Sequence, residues 1–290
     1  MTSTALIPAA DLSHLKHQPG GAEWLRHLPG LLQVMLARWS LEIDGATFGG
    51  GSVSHVVPVR QHGLPAVLKL QFPHPECRHE ADALALWNGD GAIQLLDHDA
   101  ERHALLLERC EPGKFLADAE LADPMVVAAE LLNSLWKPAT APFTSLQYEA
   151  QGWRTALKVA EATATEDEAL LIRAALQKLD SLLTSSEESI LLHQDLHGHN
   201  ILSSIRQPWL AIDPKPLAGE RAFGLAPLIR SFEFGETRQD LFGRVRRLCQ
   251  LLNVCEERAV SWTIAQTMAW SFDSSYGARH RRTVRWLLEG

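Results

Sequence analysis

Hydrophobic residues are spaced differently in the first and second parts of the chain. Between Trp24 and Trp39, apolar residues recur every three or four positions, which predicts an amphipathic helix. Three short apolar segments follow, at 41–48, 53–60 and 65–71. The breaks between them contain glycine, at residues 49–51 and 62–63. This pattern predicts three strands joined by tight turns, hence an antiparallel sheet.

Further along, strands give way to helices. Good helix formers predict a helix over 79–87, and two strands are predicted at 93–97 and 104–108 around a turn at 97–99. Helical periodicity then dominates, in runs at about 125–136, 153–164, 166–183, 226–232, 238–252, 256–272 and 279–288. We therefore expect an α+β chain with two lobes: residues 1–109 as a small antiparallel-sheet lobe and 110–290 as a larger helical lobe.

Two apolar runs interrupt the helical part, at 190–192 and 209–212, and polar side chains follow each of them. A buried strand that ends in carboxylates presents them at a surface without burying them unpaired. The spacing of Asp195, Asn200 and Asp213 matches the kinase catalytic loop H-R-D-L-x-x-x-N and the later D-F-G aspartate. In such a site Asp195 takes the hydroxyl proton, and Asn200 and Asp213 hold Mg²⁺.

The same segment allows two other interpretations. His193, Asp195, His197 and His199 alternate along the chain, as the ligands of a transition metal in a hydrolase would. A core histidine beside a capping aspartate would have no chemical role at all. The spacing of this segment alone leaves the three interpretations open.

Lys69 is the only basic residue in the apolar run A-V-L-K-L. It has two interpretations: an edge-strand lysine with its ammonium in water, or the kinase lysine that binds the α- and β-phosphates and pairs with a glutamate of the next helix. Glu80, near the start of the next predicted helix, is available for that pair. A metal hydrolase has no use for either residue, so together they favour phosphoryl transfer.

Two further segments are candidate ATP-binding elements. The glycine stretch fits G-x-G-x-x-G-x-V at Gly49 and Gly51, whereas Ser54 stands at the third glycine position. Backbone amides there, together with the hydroxyls of Ser52 and Ser54, would donate to phosphate oxygens. In a two-lobed kinase the segment from Glu108 to Cys110 would be the hinge that hydrogen-bonds the adenine edge.

Composition limits the partners. The 27 basic and 35 acidic residues give a formal net charge of -8, which argues against nucleic acid or an anionic membrane as partner. An acidic surface suits a cationic small-molecule ligand, although it also serves solubility. Four scattered cysteines without a C-x-x-C pair, the lack of a signal-peptide pattern and the lack of a membrane-spanning run predict a cytoplasmic protein. The oligomeric state is not indicated.

Four segments together resemble the aminoglycoside phosphotransferase family of kinase-like enzymes, most of all its streptomycin 6-kinase and hydroxyurea phosphotransferase branch. The segments are A-V-L-K-L with P-H-P-E-C-R-H-E-A-D-A-L-A-L-W, A-L-L-L-E-R-C-E-P-G, L-L-H-Q-D-L-H-G-H-N-I-L and W-L-A-I-D-P-K-P-L-A-G-E. The resemblance implies a bilobal protein-kinase-like fold, ATP and Mg²⁺ as cofactors, and transfer of phosphate to a hydroxyl of a small molecule such as streptomycin, giving antibiotic resistance. It also implies that His193 braces the loop.

The chain departs from the family pattern in two places. Gly224 replaces an acid that in relatives helps to brace the catalytic loop, and Gln194 replaces the glycine of H-G-D, which we expect to be the milder change. The first departure leaves open a nucleotide-binding protein with weak turnover, or a kinase of hydroxyurea or another metabolite. For a cationic acceptor the candidate contacts are the late acids and one aromatic ring: Glu233, Glu236, Asp273 and Trp270.

Overall fold

The computed structural model describes residues 12–49, 53–139, 141–185, 188–272 and 276–290. Its internal contacts divide the chain into two compact units, Met1–Gly113 and Lys114–Gly290. The sequence places this boundary slightly earlier, after residue 109. None of the helices in the described ranges is long and apolar enough to cross a bilayer.

The N-terminal unit is built on a five-stranded antiparallel sheet. Its strands are β1 (Leu41–Ile43), β2 (Ser54–Gln61), β3 (Leu64–Gln71), β4 (Leu95–Asp99) and β5 (Ala104–Glu108). Their spatial order is β1-β2-β3-β5-β4, so β3 is the central strand. The unit also contains helices α1 (Gly21–Arg38) and α2 (Glu80–Trp87).

Helix α1 belongs to the same hydrophobic core as the sheet. Leu28, Leu32 and Met35 are fully buried with Val57 and Leu68 of the central strands. Burial of each such side chain contributes about 1.5–3 kcal/mol. This face is the one that the three- and four-residue spacing predicts.

Turn chemistry decides where the strands of this unit end. His62 and Gly63, with φ of 51° and 82°, form the left-handed two-residue turn that the β2–β3 hairpin requires. The predicted turn at 97–99 is wrong, because these residues belong to β4. Instead, the Asp99 carboxylate accepts hydrogen bonds from the backbone and side chain of Arg102, at 3.1 and 2.9 Å, and closes a turn after the strand.

The C-terminal unit is mainly helical. Its helices are α3 (Pro124–Leu135), α4 (Leu146–Glu161), α5 (Glu166–Leu183), α6 (Arg221–Gly224), α7 (Ala226–Arg230), α8 (Arg238–Leu252), α9 (Glu256–Ala269) and α10 (Gly277–Glu289). Helix α9 is central, since every residue from Ser261 to Ala269 is buried. Helix α4 begins seven residues before its predicted start, because the Ser145 side chain caps the Tyr148 amide at 3.1 Å.

Short strands connect these helices to the predicted catalytic segment. They are β6 (Pro112–Phe115), β7 (Ile190–Leu192), β8 (Ile201–Ser204), β9 (Trp209–Ala211) and β10 (Leu217–Gly219). β10 pairs antiparallel with β7, and a second sheet has the order β6-β8-β9. The sequence predicted β7 and β9, whereas β6, β8 and β10 lack a continuous run of large apolar residues and were not predicted.

Candidate active site

The N-terminal unit contains a buried ion pair formed by Lys69 and Glu80. The Lys69 Nζ lies 2.7 Å from both carboxylate oxygens of Glu80, and the Gln71 amide donates to the same carboxylate at 2.6 Å. Lys69 is 5% exposed and Glu80 is 1% exposed. Because each charge lacks water, removing either partner would leave the other buried and uncompensated.

The position of Lys69 excludes the edge-strand alternative. β3 is hydrogen-bonded on both sides, and Lys69 lies opposite Val56 of β2 and Leu105 of β5. A lysine buried in a central strand requires a partner, and α2 supplies it from its first residue. The sequence therefore predicts the pair itself correctly, while its role in phosphate binding stays a prediction.

The other predicted ATP-binding residues lie at strand ends. Ser54 is buried as the first residue of β2, whereas Ser52 and Gly51 lie outside the described residues. Glu108 ends β5, where its amide donates to the Gln94 carbonyl at 2.9 Å and its carboxylate accepts from the Gln94 amide. The Glu108 amide is therefore committed to the sheet. Cys110 follows as a half-buried residue.

In the C-terminal unit, strand pairing brings the two halves of the catalytic segment together. β7 pairs with β10 and β8 pairs with β9, so the loop 193–200 and the segment 212–216 lie side by side. Two backbone hydrogen bonds join them directly: the Lys215 amide to the His193 carbonyl at 3.0 Å, and the Ile212 amide to the Asn200 carbonyl at 2.9 Å. Asp195, Asn200 and Asp213 therefore belong to one structural element.

Within this element, Asp195 lies between two cations. Lys215 Nζ is 3.1 Å from one carboxylate oxygen, and the Arg230 guanidinium is 3.8 Å from the other. The Asn200 side-chain amide donates to the Asp195 carbonyl at 2.8 Å, which leaves its amide oxygen as an acceptor. Amide and carboxylate oxygens are the donors that Mg²⁺ prefers, so Asn200 and Asp213 fit that ion chemically.

Arg230 is a site residue that the sequence did not reveal. Burial lowers the pKa of its guanidinium to about 10, against the opposing effect of Asp195, so it remains charged at neutral pH. One arm hydrogen-bonds the Gln266 amide oxygen, and the guanidinium stacks 4.5 Å above the Trp270 ring. A lone arginine near the end of a short helix carries no sequence signal for this role.

Two residues of the catalytic segment adopt left-handed backbone conformations. Gln194 has φ of 64° and Asp213 has φ of 55°. This region costs an ordinary residue roughly 1–2 kcal/mol, and glycine avoids that cost. Gln194, which stands where the family has glycine, therefore bears a backbone cost that glycine would avoid.

His193 braces the loop from a fully buried position. Its Nε2 lies 2.9 Å from the Ile212 carbonyl, which ties the loop to the segment that carries Asp213. Burial lowers the pKa of His193 to about 4, although Asp195 and Asp213 act in the opposite direction. The imidazole is therefore neutral at physiological pH, and its Nε2–H can donate to the Ile212 carbonyl.

Glu233 holds the middle of the catalytic loop. Its Oε1 accepts from Nδ1 of His197 and of His199 at 2.7 and 2.6 Å, and its Oε2 accepts from the Gly198 amide at 2.5 Å. Burial alone would raise the pKa of Glu233, but the two histidines outweigh it and lower the pKa to about 2. For His197, burial is outweighed by Glu233 and Asp195, which raise its pKa.

Gly198 is tightly enclosed at this point. A Cβ added to it would lie 2.6 Å from the nearer Glu233 oxygen, 2.7 Å from the Phe234 ring and 2.9 Å from the Ala117 methyl group. The three residues between Leu196 and Asn200 therefore all contact the Glu233 carboxylate. The sequence suggested Glu233 as an acceptor contact, and the structure gives it these loop contacts.

The other candidate acceptor residues contact arginines or lie outside the described residues. Glu236 is about half exposed and pairs with Arg279 and Arg282 of α10, at 3.3 and 3.7 Å. Trp270 has one face covered by the Arg230 guanidinium. Asp273 lies outside the described residues. A role for Glu236, Trp270 and Asp273 in acceptor binding stays a prediction.

Glu220 and Gly224 follow the catalytic segment and differ in what surrounds them. Glu220 is buried and binds Arg258 of α9 at 2.7 Å, together with the Trp262 indole, so it fixes a helix. At Gly224 an added Cβ would lie 3.3 Å from the Trp136 indole nitrogen and 3.4 Å from Leu192 of β7. An acid at this position would approach the strand that leads into the catalytic loop.

Comparison with known proteins assigns the fold and then the family. Choline kinase LicA from Streptococcus pneumoniae has a TM-score of 0.64 at 16% identity, covering 91% of this chain and 100% of that one. A thermostable mutant of aminoglycoside phosphotransferase APH(4)-Ia, in ternary complex with ADP and hygromycin B, has a TM-score of 0.62 at 12% identity, covering 89% and 97%. The fold is therefore the α+β kinase-like fold that the sequence predicts.

Sequence relatives are closer. Streptomycin 6-kinases from Streptomyces glaucescens and Streptomyces griseus are 36% and 34% identical, covering 89% and 96% of this chain and 87% and 95% of their own. A hydroxyurea phosphotransferase from Kitasatospora aureofaciens is 35% identical, covering 96% and 84%. The model of the aminoglycoside/hydroxyurea antibiotic resistance kinase family matches residues 38–280. The chain belongs to this family and is a small-molecule kinase, which removes the metal-hydrolase alternative.

Proposed function

We propose that the protein transfers the γ-phosphate of ATP to a hydroxyl group of streptomycin or a closely related aminoglycoside. The observation that carries the proposal is the element in which Asn200 is bonded to the Asp195 backbone and Asp213 follows the paired strand. Two streptomycin kinases at 34–36% identity support the acceptor class. Modification of a drug with ATP implies a cytoplasmic protein.

In this reaction Asp195 accepts the proton of the acceptor hydroxyl, which contributes about 10²–10⁴-fold to the rate. Lys69, held by Glu80, binds the α- and β-phosphate oxygens, with backbone amides and hydroxyls at Ser52 and Ser54 as further donors. Asn200 and Asp213 would hold Mg²⁺, which neutralises charge on the transferred phosphate. The backbone from Glu108 to Cys110 would contact the adenine.

Lys215 and Arg230 flank Asp195 and hold its carboxylate in one orientation. When the acceptor hydroxyl approaches, a carboxylate held from both sides has little freedom to rotate away. Orientation of this kind supplies much of the rate in phosphoryl transfer, because the protein contributes positioning more than covalent chemistry.

A cationic acceptor also requires negative charge, for which the candidates are Glu233, Glu236 and Asp273. Trp270 is the candidate for stacking on a sugar ring. Hydroxyurea is the second candidate acceptor, because the hydroxyurea phosphotransferase is as similar as the streptomycin kinases. Hydroxyurea is small and uncharged, so it would not depend on these acids.

The test is acceptor-dependent ADP release by the purified protein with ATP and Mg²⁺, using streptomycin, hydroxyurea and choline in parallel. We expect turnover with streptomycin, and we expect Asp195→Ala to abolish it while ATP binding stays within a few fold of wild type. Full activity of Asp195→Ala would refute the role of Asp195. Turnover with hydroxyurea alone would replace the acceptor and keep the kinase.

A further inference from the structure

We propose that His197, His199 and Glu233 form a binding site for a divalent transition metal such as Zn²⁺, separate from the Mg²⁺ ligands Asn200 and Asp213. One ligand atom from each of the three residues lies within 4.8 Å of the other two. Two imidazole nitrogens and one carboxylate oxygen are the donor set of many zinc sites. The inference goes beyond the proposed kinase reaction and does not depend on it.

The donor atoms already converge on one point. Both Nδ1 atoms lie 2.6–2.7 Å from Glu233 Oε1, each through a hydrogen bond. Donors around a tetrahedral Zn²⁺ are about 3.3 Å apart, as bond lengths of about 2.0–2.1 Å require. To admit an ion in place of the two protons, each of these oxygen–nitrogen separations would lengthen by about 0.6–0.7 Å, which the half-exposed His199 side chain can accommodate.

Other hydrogen bonds orient the Glu233 carboxylate so that it can bind a metal ion. Oε2 of Glu233 accepts from the Gly198 amide and from the Ser231 hydroxyl, which leaves Oε1 directed at the histidines. Hydrogen bonds that orient a ligand in this way are typical of built metal sites. The His199 side chain is 49% exposed, so an ion and a water ligand can reach the cluster from solvent.

Neighbouring charges determine the Zn²⁺ affinity that we expect for this site. Asp195 favours a cation near His197, whereas the buried guanidinium groups of Arg230 and Arg244 oppose it. The Arg244 guanidinium donates to the carbonyls of Ile229, Phe234 and Gly235, so part of its charge is compensated. We therefore expect micromolar affinity, weaker than that of a structural zinc site with thiolate ligands.

The experiment is a Zn²⁺ titration of the untagged full-length protein after removal of metals, against a chromophoric chelator and in the presence of millimolar Mg²⁺. We expect one equivalent to bind with a Kd of about 1–10 µM, unaffected by Mg²⁺, which prefers oxygen donors. His199→Gln should weaken binding at least tenfold. His98→Gln, an exposed histidine in β4, is the matched control and should bind as wild type does.

A Kd for Zn²⁺ above 100 µM in the wild-type protein would refute the proposed metal site. Equal affinity of wild type and His199→Gln would also overturn it, because Zn²⁺ would then be bound elsewhere. Circular dichroism of both variants checks that they are folded. No substrate is present in these titrations, so a failure of the proposed kinase reaction leaves the result interpretable.

Discussion

The Lys69–Glu80 pair and the catalytic loop differ in how their charged side chains are compensated. In the N-terminal unit two buried charges satisfy each other, with the Gln71 amide as an additional donor. In the C-terminal unit Asp195 and Glu233 are each surrounded by several groups from distant parts of the chain. The first arrangement is centred on one ion pair, whereas the second involves contacts from several separate segments.

This difference between the two regions predicts whether a substitution mainly lowers folding stability or mainly lowers the catalytic rate. Loss of one partner in the pair should affect folding stability most, because a buried charge is left uncompensated. Loss of one contact in the loop should affect catalysis more than stability, since the remaining contacts keep the loop folded while its geometry shifts.

The largest effect is expected for Lys69→Met. It leaves the buried Glu80 carboxylate without its cation, and we expect a loss of about 3–5 kcal/mol in the free energy of unfolding, measured by urea denaturation. The double variant Lys69→Met/Glu80→Leu removes both charges and should recover most of this loss. A loss below about 1 kcal/mol in the single variant would contradict the importance of the pair.

The second prediction concerns the free energy of unfolding at acid pH. In the unfolded chain His193 takes up a proton near the ordinary histidine pKa of 6.5, but in the folded protein only near pH 4. The unfolded state therefore binds more protons between these values, and stability falls as pH falls from about 6.5 to 4, by about 3 kcal/mol in total. In His193→Gln the loss of unfolding free energy between pH 7 and pH 5 should be about 2 kcal/mol smaller.

The matched control for this prediction is His98→Gln, which removes an exposed histidine. Its pH dependence should follow the wild type. If His193→Gln and wild type lost stability in parallel, the buried neutral imidazole would not be the cause of acid sensitivity.

Glu233→Gln tests the loop directly. The glutamine amide would put a donor against either the Gly198 amide or the histidine Nδ1 atoms, so the residues before Asn200 should shift. Misplacement on the order of 1 Å costs about 10²-fold in rate, and we expect kcat to fall by about that factor with ATP affinity nearly unchanged. Glu101→Gln, on an exposed turn of the N-terminal unit, should retain wild-type kcat.

A kcat within threefold of wild type for Glu233→Gln would mean that the loop keeps its geometry without this carboxylate. A large rise in the acceptor KM with little change in kcat would instead return Glu233 to the acceptor contact that the sequence suggests.

The smallest effect is expected at Gln194, whose φ is 64°. Glycine tolerates this conformation and alanine does not, so Gln194→Gly should be more stable than Gln194→Ala by about 1 kcal/mol. Because both variants lack the glutamine side chain, the difference isolates the backbone. Equal urea midpoints would show that the left-handed conformation costs little here.

The sequence predicted well those parts of the molecule that depend on local pattern. The β2–β3 hairpin followed from His62-Gly63, and the ion pair followed from a lone lysine in an apolar strand. Comparison with known proteins confirmed the fold class and the family. The spacing of Asp195, Asn200 and Asp213 was informative because two short strand pairings set it. Where a cap was overlooked, as at Ser145, the signal was present in the sequence.

Other features could not be predicted, because their contacts join residues far apart in the chain. Glu233 reaches back 35 residues to the Gly198 amide, and its own neighbourhood gives no sign of it. Arg230 similarly approaches Asp195 from a short helix whose apolar pattern indicates only burial. The left-handed conformation of Gln194 was hidden because the residue type gives no indication of a positive φ.

We propose that Lys69, Glu80, Asp195, Asn200 and Asp213 act on the same nucleotide. A crystal structure of the wild-type protein with a non-hydrolysable ATP analogue, Mg²⁺ and streptomycin would test this proposal. We predict Lys69 Nζ within about 3 Å of an α- or β-phosphate oxygen and Asp195 within about 3 Å of the acceptor hydroxyl. We also predict oxygens of Asn200 and Asp213 at about 2.1 Å from Mg²⁺. A nucleotide bound without contact to Lys69, or an ion held without Asp213, would contradict the claim.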